Sequence, residues 1–182
     1  MDEQDEQVVL TELEIFSSAV VQHVIKEKWN DRHYENFKKG LRADLCRGKF
    51  NGESLKNADL RGAYLSGADL SKTDLTDANL KITHLVMTKF TGAYLLRTNL
   101  TNAWLTGADF TDAELIDADL TGANLTAVNF TNAKLTGANL TGADLTDATG
   151  LTQAQLDSAC VVAGGVPPWA SPPLATHNIQ AC

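Results

Sequence analysis

Residues 101–125 read TNAWLTGADFTDAELIDADLTGANL, with leucine or phenylalanine closing every block of five. The same beat runs without a slip from Leu45 to Leu145, through twenty-one units. On an α-helix a five-residue step rotates the apolar position by about 500°, so these side chains would spiral instead of sharing a face. A straight strand fails as well, because an odd period sends successive leucines to opposite sides of a sheet. All of them are buried together only if the chain bends once per unit and points each leucine at a common axis. The chain therefore reads as an all-β solenoid.

The rest of each unit agrees. Alanine stands two residues before the central residue in fourteen of the twenty-one units, and residues two apart in a short extended segment share a face. Alanine and leucine both point inward. Two residues after the centre stands Gly, Asn or Asp in fifteen units, the residues that tolerate positive φ at tight corners. A second period sets the number of corners: Phe50, Phe90, Phe110 and Phe130, with Leu70, occupy positions twenty apart. Rings above rings are expected if four units make one square turn, which gives about five coils.

Runs such as Thr121-Gly-Ala-Asn-Leu125 and Thr141-Gly-Ala-Asp-Leu145 resemble the A-[DN]-L-x-x repeat of pentapeptide repeat proteins. The resemblance covers about residues 41 to 150. It implies a right-handed quadrilateral β-helix and is nearly silent on function, since the repeats are structural. Some members of that family resemble B-DNA in shape and charge and bind DNA gyrase, and in some a C-terminal cap carries a disulfide. Cys160 and Cys182, which flank the C-terminal segment, could bridge in that way in an oxidising compartment. With Cys46 the cysteines are few and odd in number, which argues against a disulfide framework.

Three regions are expected. Residues 1–40 form an N-terminal helical cap, with 1–7 disordered. An amphipathic helix runs from Val8 to about Lys28 behind the capping box Thr11-x-x-Glu14, and a shorter one from Arg32 to Lys39. Such a cap would cover the open end of the β-helix; a docking helix for another chain is the alternative. Residues 41–150 form the repeat. Residues 151–182 form a short cap helix, opened by Thr152-x-x-Gln155, and an extended Pro-rich tail anchored by Trp169. In the first coil Glu53 occupies an inward alanine slot, so it either pairs with the cap or that side bulges open.

The net charge is −8. Residues 41–100 hold six acidic and nine basic side chains, whereas residues 101–150 hold seven acidic and one basic. A solvated surface or a charge-steered partner would both account for this division. No stretch approaches the ~18 to 20 apolar residues of a membrane span, and the acidic start lacks the basic region of a secretory signal. A cytoplasmic location is the default expectation; the periplasm or thylakoid lumen is the alternative if a targeting segment has been removed.

No catalytic or cofactor-binding constellation stands out. His23, His33, His84 and His177 are scattered, without nucleophile or metal-ligand spacing. The Asp and Asn residues before the leucines recur on every coil and read as a solvated or ladder-forming rim. On another side Lys49, Asp69, Lys89 and Asp109 would pair charges up the tower. The outward positions of the first side are more informative. They run Asp44, Tyr64, His84, Trp104, Asn124, Asp144, so three rings would stack on adjacent coils. Val86 and Met87 lie around them, and Ile82, Tyr94, Leu96 and Ile116 are placed one face away. Ile82 and Met87 hold corner positions otherwise given to Gly, Asn or Asp. Drift on a tolerant scaffold and a partner-binding patch both explain this cluster.

The leading functional reading is a non-enzymatic interaction scaffold without cofactor, whose protein partner is unidentified, a second copy of the chain being one candidate. The alternative is a DNA mimic acting on a topoisomerase such as gyrase. Duplex DNA carries one charge per ~1.7 Å, so a rod ~24 Å long would need about fourteen. The repeat region carries −3. Direct nucleic-acid binding is not expected either, because the basic excess of the early coils is small and no aromatic groove accompanies it.

Overall fold

The computed structural model describes residues 45–159. Residues twenty apart bridge in parallel, and the bridges fall into four ladders. Side one carries Tyr64, His84, Trp104, Asn124 and Asp144; side two runs from Lys49 through Asp69, Lys89 and Asp109 to Thr149. Side three runs from Ser54 through Asp74, Tyr94 and Glu114 to Lys134, and side four from Asp59 to Asn139. Each ladder lies five residues beyond the last, so twenty residues make one coil and the coil has four sides. The square turn expected from the phenylalanine spacing is what the chain forms.

Every corner residue has positive φ, between 53° and 72°, at the second position after each central residue. The backbone there closes a four-residue turn, as where Ala113 N–H donates to Phe110 O at 3.0 Å. Positive φ at the third residue is what a type II turn demands. Asp112 (58°), Asn132 (57°) and eight glycines fit that demand cheaply; Arg47, Lys72, Ile82, Met87, Arg97 and Ala127 meet it at a steric cost.

The unit around Phe110 shows where the backbone donors go. Phe110 N–H donates to Asn129 O at 2.8 Å and Asp112 N–H to Thr131 O at 2.9 Å, both one coil on. Glu114 N–H donates one coil back, to Ala93 O at 2.9 Å. Ala113 closes the turn. The fifth donor, Thr111 N–H, meets the Asp109 carboxylate at 3.0 Å, and the Thr111 hydroxyl adds 2.6 Å to the same oxygen. Eleven Asp or Asn residues accept the N–H two residues on in this way. The acidic rim is thus first a set of local corner bonds, with cross-coil bonds added to it, as where Thr91 Oγ1 donates to Asp109 Oδ2 at 3.1 Å. Lys49, Asp69, Lys89 and Asp109 make no ion pair along their ladder; the pairs among the described residues are Arg61–Asp59, Arg97–Asp77 and Lys134–Glu114.

Inside, the central residues and, apart from the half-buried Gly48 and Glu53, those two before them are buried. Phe90, Phe110 and Phe130 stack with centroids 4.6 and 5.5 Å apart and interplanar angles of 3° and 6°. Phe50 stands in the same column below Leu70. Gly48 leaves the inward slot empty beneath it, and a Cβ there would collide with the Phe50 ring. Four inward slots hold buried threonine instead of alanine. Each hydroxyl donates to a carbonyl of the coil below: Thr73 to Phe50 O (2.7 Å), Thr83 to Leu60 O (3.0 Å), Thr88 to Leu65 O (2.8 Å) and Thr98 to Leu75 O (2.8 Å). Glu53 is half-buried in its slot, and the side does not bulge there: its N–H donates to Phe50 O and its carbonyl accepts from Asp74 N–H.

Helix α1 (Gln153–Ser158) opens with the expected capping box of Thr152 and Gln155. Its Leu156, with Ala159, is buried in the same core. Gln155 Nε2 also donates to Phe130 O at 3.0 Å, which already closes its own turn with Ala133 N–H, and to Ala133 O at 2.8 Å, a carbonyl of the kind that the next coil serves elsewhere in the repeat. The N-terminal helices and the disorder expected at residues 1–7, the Pro-rich tail, Trp169 and the Cys160–Cys182 pair lie outside the described residues.

Two outcomes are expected. Phe110→Ala, in the middle of the ring stack, should cost about 3 to 5 kcal/mol and Phe110→Leu far less; equal chemical-denaturation midpoints for the two would contradict the column. The second concerns acid. Hydrogen bonds from Ser71 hold Asp69 below the usual carboxylate range against its partial burial. Burial pushes Asp109 up, but Thr111, Thr91 and Asn129 more than offset it and leave it low; Asp144 is lowered by Thr146. Carboxyls with depressed folded pKa stabilise the fold fully above their unfolded pKa of about 3.9, and that stabilisation disappears as pH falls through the folded values below it. The melting temperature should therefore drop between about pH 5 and about pH 2.5, less steeply in Asp109→Asn, which keeps an acceptor but does not titrate. A flat profile would show that the corner carboxylates do not stabilise the fold.

Candidate functional site

Among the described residues there is no group of three or more His, Cys, Asp or Glu able to hold a metal ion. None of their helices is long and apolar enough to cross a membrane. The distinctive chemistry of the surface is on side one. Tyr64 and His84 stack with centroids 4.7 Å apart and 27° between planes, and His84 and Trp104 follow at 5.2 Å and 34°. The stack comes from the ladder itself, which sets outward residues of adjacent coils about 4.8 Å apart. Because the rings face one another, they show the solvent mainly their edges. That arrangement leaves little ring face for a nucleobase to stack on.

The corners on either edge of this side complete the surface. Ile82 sits where side four turns into side one, at φ 54° and 36% exposed. Met87 sits where side one turns into side two, at φ 57° and 66% exposed, its sulfur lying over Gly107. A Cβ on Gly107 would come within 2.6 Å of that sulfur, so the glycine makes room for the methionine. Val86 is half-buried beside it, and Trp104 is 55% exposed. Tyr64, Ile82, His84, Val86, Met87 and Trp104 thus share one side and its edges.

Tyr94, Leu96 and Ile116 do not join them. Tyr94 bridges Asp74 and Glu114 on side three, and Leu96 and Ile116 follow side three along the chain. In a four-sided coil side three is opposite side one. The nine residues therefore divide between opposite surfaces, and the placement of these three one face from the rings does not hold; counting four outward columns in order, from Tyr64 to Asp69 to Asp74, would have shown it. Tyr94 is 47% exposed and stands alone as a ring on its ladder, next to the Lys134–Glu114 pair at 2.6 Å.

Asp109, which the inward and outward alternation alone would make dispensable, accepts from Thr111, Thr91 and Asn129. The signal for that role was the threonine following the central residue, paired with Asp or Asn preceding it.

The sequence matches the family model described as pentapeptide repeats, in eight copies over residues 42–77, 73–112 and 113–149. No curated protein matches it. Among solved structures it is similar to HetL, a pentapeptide repeat protein involved in heterocyst differentiation regulation from the cyanobacterium Nostoc sp. strain PCC 7120. Identity is 32%, coverage 65% of this chain and 62% of HetL, and the TM-score 0.45. The chain thus spans less than two thirds of the length of HetL. A pentapeptide repeat protein from the Arabidopsis thaliana thylakoid lumen is 33% identical over 59% of this chain and 77% of its own, with a TM-score of 0.23. QnrB1, a plasmid-mediated fluoroquinolone resistance protein, is 22% identical over 64% of this chain and 73% of its own, with a TM-score of 0.26. With the family model covering more than half of its length, the chain belongs to the pentapeptide repeat family, whose members form right-handed quadrilateral β-helices.

Proposed function

We propose that this chain is a non-enzymatic protein-binding module, a rod of about five coils whose contact surface is side one between Tyr64 and Trp104. The observation that carries the reading is Ile82 and Met87, two large apolar side chains at exposed corners with φ of 54° and 57°. A left-handed corner costs stability to a residue other than glycine, asparagine or aspartate, most of all to a β-branched one, and Met87, two thirds exposed, returns little of that cost through burial. Folding alone favours glycine or asparagine at both corners, so their presence beside three outward rings, of which Trp104 is exposed and Tyr64 and His84 half-buried, is an interface signature. In this reading residues 1–40 and 151–182 close the two ends of the rod. The duplex-mimic reading gains nothing from the charge: −3 over residues 41–150 is far from the density of DNA.

Met87→Gly should hold or raise the melting temperature, because it relieves about 1 kcal/mol of backbone strain at a corner whose side chain is two thirds exposed, while weakening capture of the partner. A clear drop in stability would mean that Met87 is held for packing within the fold. Tyr64→Ala with Trp104→Ala should abolish capture of the partner by the immobilised chain and shift the melting temperature by no more than a few degrees. Undiminished capture by this double variant would move the interaction surface away from side one.

A further inference from the structure

We infer that the partner of side one is a second copy of this chain, packed antiparallel with Trp104 on the two-fold axis. The inference rests on the reading of side one as a contact surface. A two-fold axis lying across the rod keeps each corner on its own edge and reverses the order of the coils. The coil below Trp104 then meets the coil above it. Ile82 comes opposite Gly122, and Met87 opposite Ala127, so on both edges a large apolar corner faces a small one. Ala127 is the only alanine among the described corners, and it is exposed at φ 56°.

The polar ends fit the same arrangement. Asp144 comes opposite the Tyr64 ring, and Asp147 opposite Gly67. No like charges of side one are opposed. Parallel packing of the same sides is worse on each count: it sets Asp144 against its own copy and Ile82 against Met87, large against large. A foreign partner would not require side one to be complementary to itself, whereas a two-fold axis does.

The pairing is weak. A side five coils tall and one short strand wide measures about 24 Å by about 10 Å, well below the ~800 Å² per partner of a standard complex. The dimer should therefore appear with concentration and be sensitive to one corner.

Sedimentation equilibrium of the full chain from about 10 μM to about 1 mM tests this directly. Wild type should show a monomer–dimer equilibrium. Ala127→Lys should weaken it roughly tenfold or more, by setting a charge against Met87. The corner tolerates a lysine, as Lys72 at φ 57° shows, and melting curves confirm that the variant is folded. Met87→Lys should do the same, and the combination Met87→Lys with Ala127→Asp should restore the dimer, because each lysine then meets an aspartate of the other copy. A wild type monomeric throughout overturns self-pairing; if Tyr64→Ala/Trp104→Ala still loses capture of a foreign partner, side one as a contact surface stands. A dimer indifferent to Ala127→Lys, or not restored by the combination, overturns the register.

Discussion

A left-handed backbone at every fifth residue is the condition on which the rest of this molecule stands. Only that conformation turns the chain by one side of the square and returns the next leucine to the axis. Thirteen non-glycine residues accept it, from Arg47 to Asp147. What holds them there is the central column: each buried leucine returns roughly 1.5 to 3 kcal/mol, against about 1 to 2 kcal/mol for an L-residue in that region. Asp and Asn lower the corner's cost further, which is why corner identity varies while the centre does not.

The second condition is that each unit satisfy its own backbone. Sides only a few residues wide make short ladders, and one N–H per unit points along no ladder. Asp or Asn before the leucine supplies the acceptor, and threonine after it adds a hydroxyl to the same oxygen, as in Asp119 with Thr121. On the ring side this device is given up at Tyr64, His84 and Trp104, where an aromatic stands in its place. Side one thus departs from the repeat in two independent ways, at the outward position and at both flanking corners.

Much of this was legible because a repeat multiplies weak signals. The period identified the solenoid, the corner residues marked the turns, and the spacing of Phe90, Phe110 and Phe130 gave the four-sided coil. Tyr64, His84 and Trp104 could be aligned as soon as the coil length was known. Reading failed where a position had to be assigned a partner as well as a direction. Outward Asp109 looked solvated, yet four hydrogen bonds converge on it. Lys49 and Asp69 looked paired because they are adjacent on a ladder, but Asp69 turns back to Ser71. Thr73, Thr83, Thr88 and Thr98 passed as substitutions for alanine, because nothing local says that a hydroxyl can reach a carbonyl twenty-three residues away.

The phenylalanine column has a consequence for how such a chain finds one structure. A perfect repeat is degenerate: slide one coil against the next by a side, and every leucine still faces the axis while every ladder bond is remade. Misaligned coils would then compete with the native ones at almost equal energy. A slip of five residues would separate the stacked phenylalanines, whereas each buried threonine hydroxyl would meet the equivalent carbonyl of another unit. The stacked phenylalanines therefore act as index marks on an otherwise uniform screw thread, and a variant that replaced them all with leucine would remain a β-helix while losing its single alignment.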